Sequence, residues 1–439
     1  MVIDIEVKKC EKVQQAILVI IILVNFGLMP IVQYAESLIG VSFIKRHIIV
    51  IISILIYCIT GFIYNFNKLR VRVRIELFTF ITCVLLQLVA MPWAIRYGDK
   101  GLSVYISVIL NTFISSWLMY LIGSNFHKLK EIIINPKIKL IMNILFLTFV
   151  GLIIYGVTLN PYGEFQIYYG KIKIDYLFIG DTFAIYAFLI LYANKNRYFK
   201  FLITILGVLT LYLISSRLSF AIFIAVVFIN IGIGLINKVD GLNRVAILNR
   251  GIKKKRMLYS IGLITCFLLV IMIFTHKLGK IEISIDKLYN NRIFGGLTDI
   301  KNDESYVSRQ ELVILGRSVL RENIVLGKFM YEVEIMGITG GYIHNMFSYL
   351  VEYGPIFFFL FIACLLKKSW QFFILYKKTK LKDSYDVLKI SIFIFTLMSI
   401  ILGRSYIYAY IWLPIGMIKT INCKELKSYS RLKDIPKVM

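Results

Sequence analysis

The chain has 439 residues, of which 59% are hydrophobic and only 17% are charged, and its mean hydropathy is +0.77. This composition excludes a soluble globular protein, because apolar runs of membrane-spanning length recur along the whole chain. The formal net charge of +26 at first suggests nucleic acid as a partner, but the placement of the basic residues argues against it.

Twelve apolar segments are long enough to cross a membrane, which predicts an all-α integral membrane protein with a polytopic bundle of about 12 transmembrane helices. Their predicted bounds are 16–32, 47–64, 75–95, 102–123, 140–159, 175–193, 201–216, 218–236, 258–275, 345–366, 387–403 and 406–421. We expect residues 1–439 to form a single polytopic membrane domain. The first segment lacks a convincing cleavage site and is expected to be an uncleaved anchor.

The basic residues between the segments predict the topology. One side of the membrane carries 33 of the 51 Lys and Arg residues, whereas the other carries eight in short segments and nine in the long loop 276–344. The positive-inside rule therefore places both termini in the cytoplasm and the loop 276–344 outside it. The basic runs 68–74 and 253–256 are topology signals whose natural partners are anionic membrane lipids, and no nucleic-acid partner is expected.

The six cysteines are all predicted to lie within spans or on the cytoplasmic side, so no disulfide is expected. They are Cys10, Cys58, Cys83, Cys266, Cys364 and Cys423.

Two arginines occupy tight connections between predicted spans. The seventh and eighth spans are joined by Ser215-Ser216-Arg217-Leu218-Ser219 with almost no loop, so Arg217 is expected at the outer interface. An arginine flanked by serines suggests an anion site, although the side chain can also reach lipid headgroups from such a position. Arg404 repeats the arrangement between the last two spans, in Gly403-Arg404-Ser405-Tyr406.

The loop 276–344 is the one long outer connection, and its nine basic residues are balanced by nine acidic residues. A polar loop of this length in a tight bundle is usually functional. Ser308 and Glu311 form a capping box, which predicts that an amphipathic helix begins at Ser308 and ends near Asn323. Arg309 would lie in its first turn, where it either faces solvent or contributes to a site.

A polar cluster at the end of this loop, from Gly340 to Pro355, leads into the tenth span. Polar groups at the mouth of a membrane helix are costly unless they have a function. His344 is expected to open the helix, with Ser348 and Glu352 following on the same face. A histidine of near-neutral pKa is a natural general base for a hydroxyl nucleophile, whereas the alternative for His344 is a helix cap.

Several reaction classes are disfavoured by the sequence. It contains no Gly-x-x-x-x-Gly-Lys-Ser/Thr segment for nucleotide phosphates and no Asp-x-Asp pair, and the four histidines are far apart. Neither a metal nor a cofactor is therefore expected. The remaining chemistry is transfer of a group from a lipid-linked phosphate to a hydroxyl, with Arg217, Arg309 and Arg404 holding the phosphate and His344 as the base.

Three short motifs resemble those of the bacterial O-antigen and capsular polysaccharide polymerases, which share a fold with the O-antigen ligases. Ser216-Arg217-Leu218-Ser219 is similar to the Ser-Arg hairpin of that family. Arg309, followed by Glu322-Asn323-Ile324-Val325-Leu326-Gly327, resembles the arginine and turn late in its large loop, with Ile324-Val325 where a proline is common. His344-Asn345, Leu350 and Glu352-Tyr353-Gly354 resemble its entry into the next span.

The resemblance implies a metal-independent glycosyltransferase of the bacterial plasma (inner) membrane. The donor would be a growing glycan on undecaprenyl diphosphate, and the acceptor another lipid-linked repeat unit. A chain-length regulator and a flippase are the implied protein partners. Arg217 and Arg309 would hold the diphosphate, and His344 would orient or deprotonate the acceptor hydroxyl. Asn345 and Glu352 complete the predicted substrate-binding residues, although the role of Glu352 is not assigned, and Arg404 is included by position alone.

Two other functions remain open from the sequence. An O-antigen ligase, which moves a finished glycan to a different hydroxyl, would carry the same motifs. A lipid-linked oligosaccharide flippase can also have twelve spans, but short loops on both sides and charges lining the interior would be expected of it.

Overall fold

The computed structural model describes residues 2–39, 46–65, 106, 108–159, 176–214, 216–243, 304–336, 343–379 and 383–418. Within these ranges the chain is helical and contains no strand. Five of the described helices are long and apolar enough to cross a membrane: Lys12–Glu36, Pro136–Gly156, Tyr176–Ala193, Phe347–Tyr376 and Ser384–Leu402. The prediction of an all-helical protein with membrane-spanning helices is confirmed to this extent.

Several sequence predictions lie outside the described residues. They are the third and ninth spans (75–95 and 258–275), residues 102–105 and 107 at the start of the fourth span, the basic runs 68–74 and 253–256, the loop residues 276–303 and 337–342, and Ser215.

The first half of the described chain consists of apolar helices with short π-helical and 3-10 turns. It comprises α1 (Val2–Ile22), a π-helical turn (Leu23–Leu28), α2 (Met29–Ile39), α3 (Arg46–Asn65), a π-helical turn (Leu110–Ile114), α4 (Ser115–Asn125), a 3-10 turn (Phe126–Leu129), α5 (Lys130–Ile134) and α6 (Pro136–Leu159). The first π-helical turn contains Asn25, whose amide donates to the carbonyl of Ile21 (2.9 Å) and to the hydroxyl of Ser53 on α3 (3.3 Å).

The second half carries the residues singled out by the sequence. It comprises α7 (Tyr176–Ala193), α8 (Arg197–Leu213), α9 (Arg217–Asn243), α10 (Glu304–Glu322), α11 (Tyr331–Met336), α12 (Phe347–Thr379), α13 (Ser384–Leu402), a 3-10 turn (Ala409–Ile411) and α14 (Trp412–Met417). Side chains cap two of these helices, since Asn196 accepts from the N–H groups of Tyr198 and Phe199 and Asp383 accepts from that of Tyr385.

Helix α7 is the centre of the bundle and is buried along most of its length. Phe183 packs between Phe146 and Phe149 of α6, with ring centroids 5.1 and 5.2 Å apart. On another side, Phe188 stacks on Phe223 of α9 at 4.9 Å. A helix that is apolar all round can only be placed in the interior, and this places any polar residue on α7 inside the protein as well.

Helix α10 confirms the amphipathic helix predicted in the long loop, but not its start. Ser308 lies inside the helix, which already includes Glu304, so the predicted capping box is wrong. The apolar face is buried through Leu312 and Val319, whereas Arg309, near the start of the helix, is exposed. The predicted end near Asn323 agrees with the last helical residue, Glu322.

The last predicted span, 406–421, is not a continuous helix over its described part, which ends at residue 418. Residues 403–408 are irregular, and only the 3-10 turn and the six-residue α14 follow. The segment is nevertheless buried, because Tyr406 and Trp412 are 3% and 5% exposed. Irregular backbone is tolerated at membrane depth only where protein surrounds it, so its apolar sequence reflects burial rather than contact with lipid.

Helix α14 packs against α4 through backbone contact at two glycines. A Cβ atom on Gly123 would lie 2.0 Å from the carbonyl oxygen of Leu413, and one on Gly416 would lie 2.5 Å from that of Tyr120. Any side chain at either position would therefore push the two helices apart.

We expect Gly123→Ala to destabilise the protein by about 1–3 kcal/mol or more, because overpacking a tight contact forces the backbone to move. Thermal denaturation of the purified protein in detergent measures the change. Gly151→Ala on α6 is the control, since a Cβ atom there meets nothing within 4 Å. Equal unfolding temperatures for the two variants would contradict the close contact between α4 and α14.

Candidate functional site

Arg404 forms a buried ion pair with Asp181 on the central helix α7. Its Nε atom lies 2.6 Å from Oδ2 of Asp181, and its Nη2 atom lies 2.9 Å from Oδ1. Both residues are buried, at 6% and 1% exposure. This is the two-pronged arrangement in which the planar guanidinium matches a carboxylate best.

Two serines of the α8–α9 hairpin complete this cluster. The hydroxyl of Ser219 donates to Oδ1 of Asp181 at 2.6 Å and accepts from Nη2 of Arg404 at 3.0 Å. Ser216 and Ser219 are hydrogen-bonded at 2.6 Å. Because the single hydroxyl proton of Ser219 is used on Asp181, Ser216 must be the donor to Ser219. We call Asp181, Ser216, Ser219 and Arg404 the arginine cluster.

The arginine cluster changes the interpretation of Arg404. The sequence predicts that Arg404 binds an anionic substrate, and this stays a prediction. In the structure, however, its positive charge is balanced by Asp181, and a phosphate would have to compete with this carboxylate. Sequence reasoning missed Asp181, although one signal was available: it is the single charged residue within the apolar segment 176–193.

Arg217 is the first residue of α9 and borders the arginine cluster through its neighbour Ser216. The hairpin is held tightly against α7, because a Cβ atom on Gly180 would lie 2.7 Å from the Cβ atom of Ser216. Arg217 itself is partly exposed, unlike Arg404. The predicted serine-flanked arginine thus lies at the edge of a buried polar network rather than inside it.

His344 lies in the turn before α12 rather than on the helix, which begins at Phe347. Burial, together with the positive charges of Arg309 and Arg404, lowers its pKa to about 4. The imidazole is therefore neutral at pH 7, the form that accepts a proton. The same influences place Arg309, His344 and Arg404 in one electrostatic neighbourhood, although they come from α10, from the start of α12 and from the turn after α13.

Asn345, rather than His344, caps α12. Its side-chain oxygen accepts from the N–H of Phe347 at 2.9 Å, and its carbonyl oxygen accepts from the hydroxyl of Ser348 at 2.8 Å. The hydroxyl oxygen of Ser348 in turn accepts from the N–H of Tyr406 at 2.7 Å. The start of α12 and the turn that holds Arg404 are therefore directly connected.

Glu352 is buried one turn further along α12, with 1% exposure. Its Oε2 atom accepts from the backbone N–H of Met330 at 2.7 Å. Glu332, which is fully buried on α11, accepts from the hydroxyl of Tyr406 at 2.9 Å. Substrate binding by Glu352 stays a prediction. Sequence reasoning had not singled out Glu332.

Two glycines in the left-handed region lock the end of the long loop onto α12. Gly327 and Gly354 have φ values of 68° and 76°, and a Cβ atom on Gly327 would lie 2.4 Å from the backbone nitrogen of Gly354. The helix bends at Gly354, and Pro355 offers no N–H to the carbonyl of Val351. That carbonyl instead accepts from the N–H of Lys328 at 2.8 Å.

The structure thus brings together all three regions carrying the predicted residues. The hairpin of Arg217 meets Arg404 through Ser219, Arg309 and Arg404 act on His344, and Glu352 joins α12 to the segment before α11. No group of three or more His, Cys, Asp or Glu side chains suited to a metal ion occurs among the described residues.

Comparison with known proteins adds no relative to this picture. No protein-family model matches the chain, and no curated protein or solved structure is significantly similar to it.

We expect Asp181→Ala to lower the free energy of unfolding by about 3–5 kcal/mol, because it leaves the buried guanidinium of Arg404 without its carboxylate. The double variant Asp181→Ala/Arg404→Met removes both charges and should recover much of that loss. Chemical denaturation in detergent measures the two values. A double variant as unstable as Asp181→Ala alone would contradict the importance of charge balance.

The ion pair between Lys130 and Asp383 provides a control, because both side chains are about two-fifths exposed, at 42% and 41%. Lys130→Met should change the free energy of unfolding by about 1 kcal/mol or less, as for other solvent-screened pairs.

Proposed function

We propose that the protein is an oligosaccharide repeat-unit polymerase that transfers a growing glycan from undecaprenyl diphosphate to a lipid-linked acceptor. The observation that carries this proposal is the convergence of Arg309 and Arg404 on a neutral, half-buried His344. A base beside fixed positive charge suits a reaction in which a hydroxyl is deprotonated while a diphosphate leaves.

Contacts among the family-like motifs and Arg404 also support the proposal. The turn ending at Gly327 packs against Gly354 of the third motif, and Ser219 of the first motif binds Arg404. Motifs that are separated by about ninety residues (first and second) and about twenty residues (second and third) would be expected to meet if they form one site. The end of the bundle at which these contacts occur is the one that the positive-inside rule predicts to lie outside the cytoplasm.

In the proposed reaction, His344 takes the proton of the acceptor hydroxyl while the acceptor oxygen bonds to the anomeric carbon. The bond between that carbon and the phosphate oxygen breaks, and undecaprenyl diphosphate leaves with the bonding electrons. Arg309 and Arg217, whose side chains reach the surface, would bind the diphosphate oxygens. Arg404, held by Asp181, would contribute its field rather than a contact, and Glu352 would position the surrounding backbone.

We expect His344→Ala to abolish long-chain glycan in the host while the protein remains inserted in the membrane. The physical reason is the loss of the proton acceptor, which typically contributes about 10²–10⁴-fold to the rate. Gel analysis of surface polysaccharide, with immunoblotting for the protein, measures both quantities. Normal chain length in a stably expressed variant would exclude His344 as the base.

We expect Arg309→Ala to reduce polymer length strongly, and Arg309→Lys to restore little of it, because lysine cannot bind a phosphate in the two-pronged geometry. Arg321→Ala is the matched control, since Arg321 is an exposed arginine in the last turn of the same helix. Equal losses for Arg309→Ala and Arg321→Ala would indicate a general effect of charge on α10.

Deletion of the gene separates the polymerase from the ligase. A host without the polymerase should carry single repeat units on the carrier or core. Long chains stranded on the lipid carrier would instead identify a ligase, and loss of surface polysaccharide with precursor accumulated on the cytoplasmic face would identify a transporter.

A further inference from the structure

Glu332 and Glu352 are two buried acids, at 0% and 1% exposure. Each has one oxygen occupied by a neighbour: Glu332 by the hydroxyl of Tyr406 and Glu352 by the N–H of Met330. The other two oxygens, Oε2 of Glu332 and Oε1 of Glu352, are buried and receive no N–H or O–H from the described residues. We call these two side chains the carboxyl pair.

The two carboxyl groups are close neighbours, because Glu352 binds the N–H of Met330, two residues before Glu332, and each acid influences the other. A carboxylate has only acceptor atoms, so the two groups can bond to each other only if one of them carries a proton. Such a bond would use the two buried oxygens that receive no other donor. The arrangement therefore differs from the arginine cluster, where a buried carboxylate is balanced by a cation.

No positive charge takes the place of this proton within the described residues. None of the ion pairs found there includes either member of the carboxyl pair. The groups that act on Glu332 are Glu352 from α12 and Tyr406 from the turn after α13, while Tyr331 on α11 responds to both acids. Lys328 is the basic residue of the connecting segment, and it is partly exposed.

The surroundings also exclude water. Phe329 packs on Tyr353 and Tyr406 with ring centroids 5.5 and 6.1 Å apart, and these two tyrosines lie 5.7 Å from each other. Because these aromatic rings leave little room for water, few water dipoles can stabilise a second negative charge.

We propose that Glu332 and Glu352 bind one proton between them, and that this shared proton fastens the segment 327–332 to α12 and to the turn 403–408. Among the described residues, no N–H or O–H group reaches the two facing oxygens to join the acids in place of this proton. Loss of the proton places two like charges in a dry site, so the carboxyl pair separates. The N–H of Met330 and the hydroxyl of Tyr406 then lose their buried acceptors.

The direction in which this contact depends on pH follows from the pKa of Glu332. Burial is the main cause that raises its pKa above the usual range. A group with a raised pKa in the folded state stabilises the fold fully below its unfolded pKa, and this stabilisation is lost as the pH rises through the folded value. The fastening is therefore closed in acid and opens towards alkaline pH.

The test uses the full-length protein purified in detergent, with its unfolding temperature measured between about pH 5 and pH 9. Glutamine replaces the shared proton permanently, because its amide group donates while its oxygen still accepts. Glu332→Gln and Glu352→Gln should therefore unfold at nearly the same temperature as the wild type at pH 5. At pH 9 each should be more stable than the wild type, whose pair has ionised.

Glu322→Gln is the matched control, because Glu322 is an exposed acid at the end of α10. Its difference from the wild type should be constant with pH. Pair variants whose pH profiles are parallel to that of the wild type would overturn the proposal. A wild-type protein stabilised at pH 9 by adding Na⁺ or Ca²⁺, with no such effect on the glutamine variants, would also overturn it, since a cation would then replace the proton.

Hydrogen exchange locates the effect in the structure. For the wild type, we compare the exchange rate of the backbone amides of 327–332 with that of the amides of α7, after correction for intrinsic rates. This ratio should be at least tenfold higher at pH 9 than at pH 5. Glu352→Gln should suppress this increase. Protection of 327–332 that is independent of pH in both proteins would show that the shared proton does not hold the segment. Because none of these measurements involves glycan, the result is independent of the proposed function.

Discussion

The ion pair between Asp181 and Arg404 is the interaction on which the arrangement of this site depends. Asp181 is carried by the most buried helix of the bundle, and a charge placed there is tolerated only with a partner of opposite sign. The pair fixes the turn after α13 against α7, and Ser219 adds the α8–α9 hairpin to the same network. Three segments that are distant in the chain are thereby held at one end of the bundle.

A second set of contacts fastens the end of the long loop to this framework. Gly327 and Gly354 let two backbones approach more closely than side chains would allow, and Pro355 leaves the carbonyl of Val351 for the N–H of Lys328. Tyr406 connects the two sets, because its N–H binds Ser348 on α12 and its hydroxyl binds Glu332 on α11. The irregular backbone at 323–330 and 403–408 is thus stabilised by specific partners in place of helical hydrogen bonds.

The negative charges of the two buried acidic sites in this region are neutralised in different ways, and only one of the two ways depends on pH. Asp181 is balanced by a guanidinium, which keeps its charge at any pH of interest. Glu332 and Glu352 are balanced by a proton under our proposal, which makes their contact dependent on pH. His344 is kept neutral at pH 7 by burial and by the neighbouring arginines, so one of its ring nitrogens is an acceptor for a proton or a hydrogen bond.

The sequence by itself determined that the protein is helical and membrane-spanning, because an apolar segment of some twenty residues has few alternatives in lipid. It also located α7 and α13 to within three residues, and it identified the amphipathic α10 from its apolar spacing. The predicted start of α10 at Ser308 was wrong, since a favourable capping residue can also lie inside a helix.

Only the tertiary structure decided which charges meet. The sequence presents Arg217 and Arg404 as equivalent arginines beside serines, yet one lies at the edge of the bundle and the other is paired with Asp181. It likewise gives no sign that Glu352 faces Glu332, or that the apolar run after Arg404 is broken. Hydrophobicity is a property of each segment, whereas the pairing of buried polar groups depends on contacts between residues that are 20 to more than 200 positions apart.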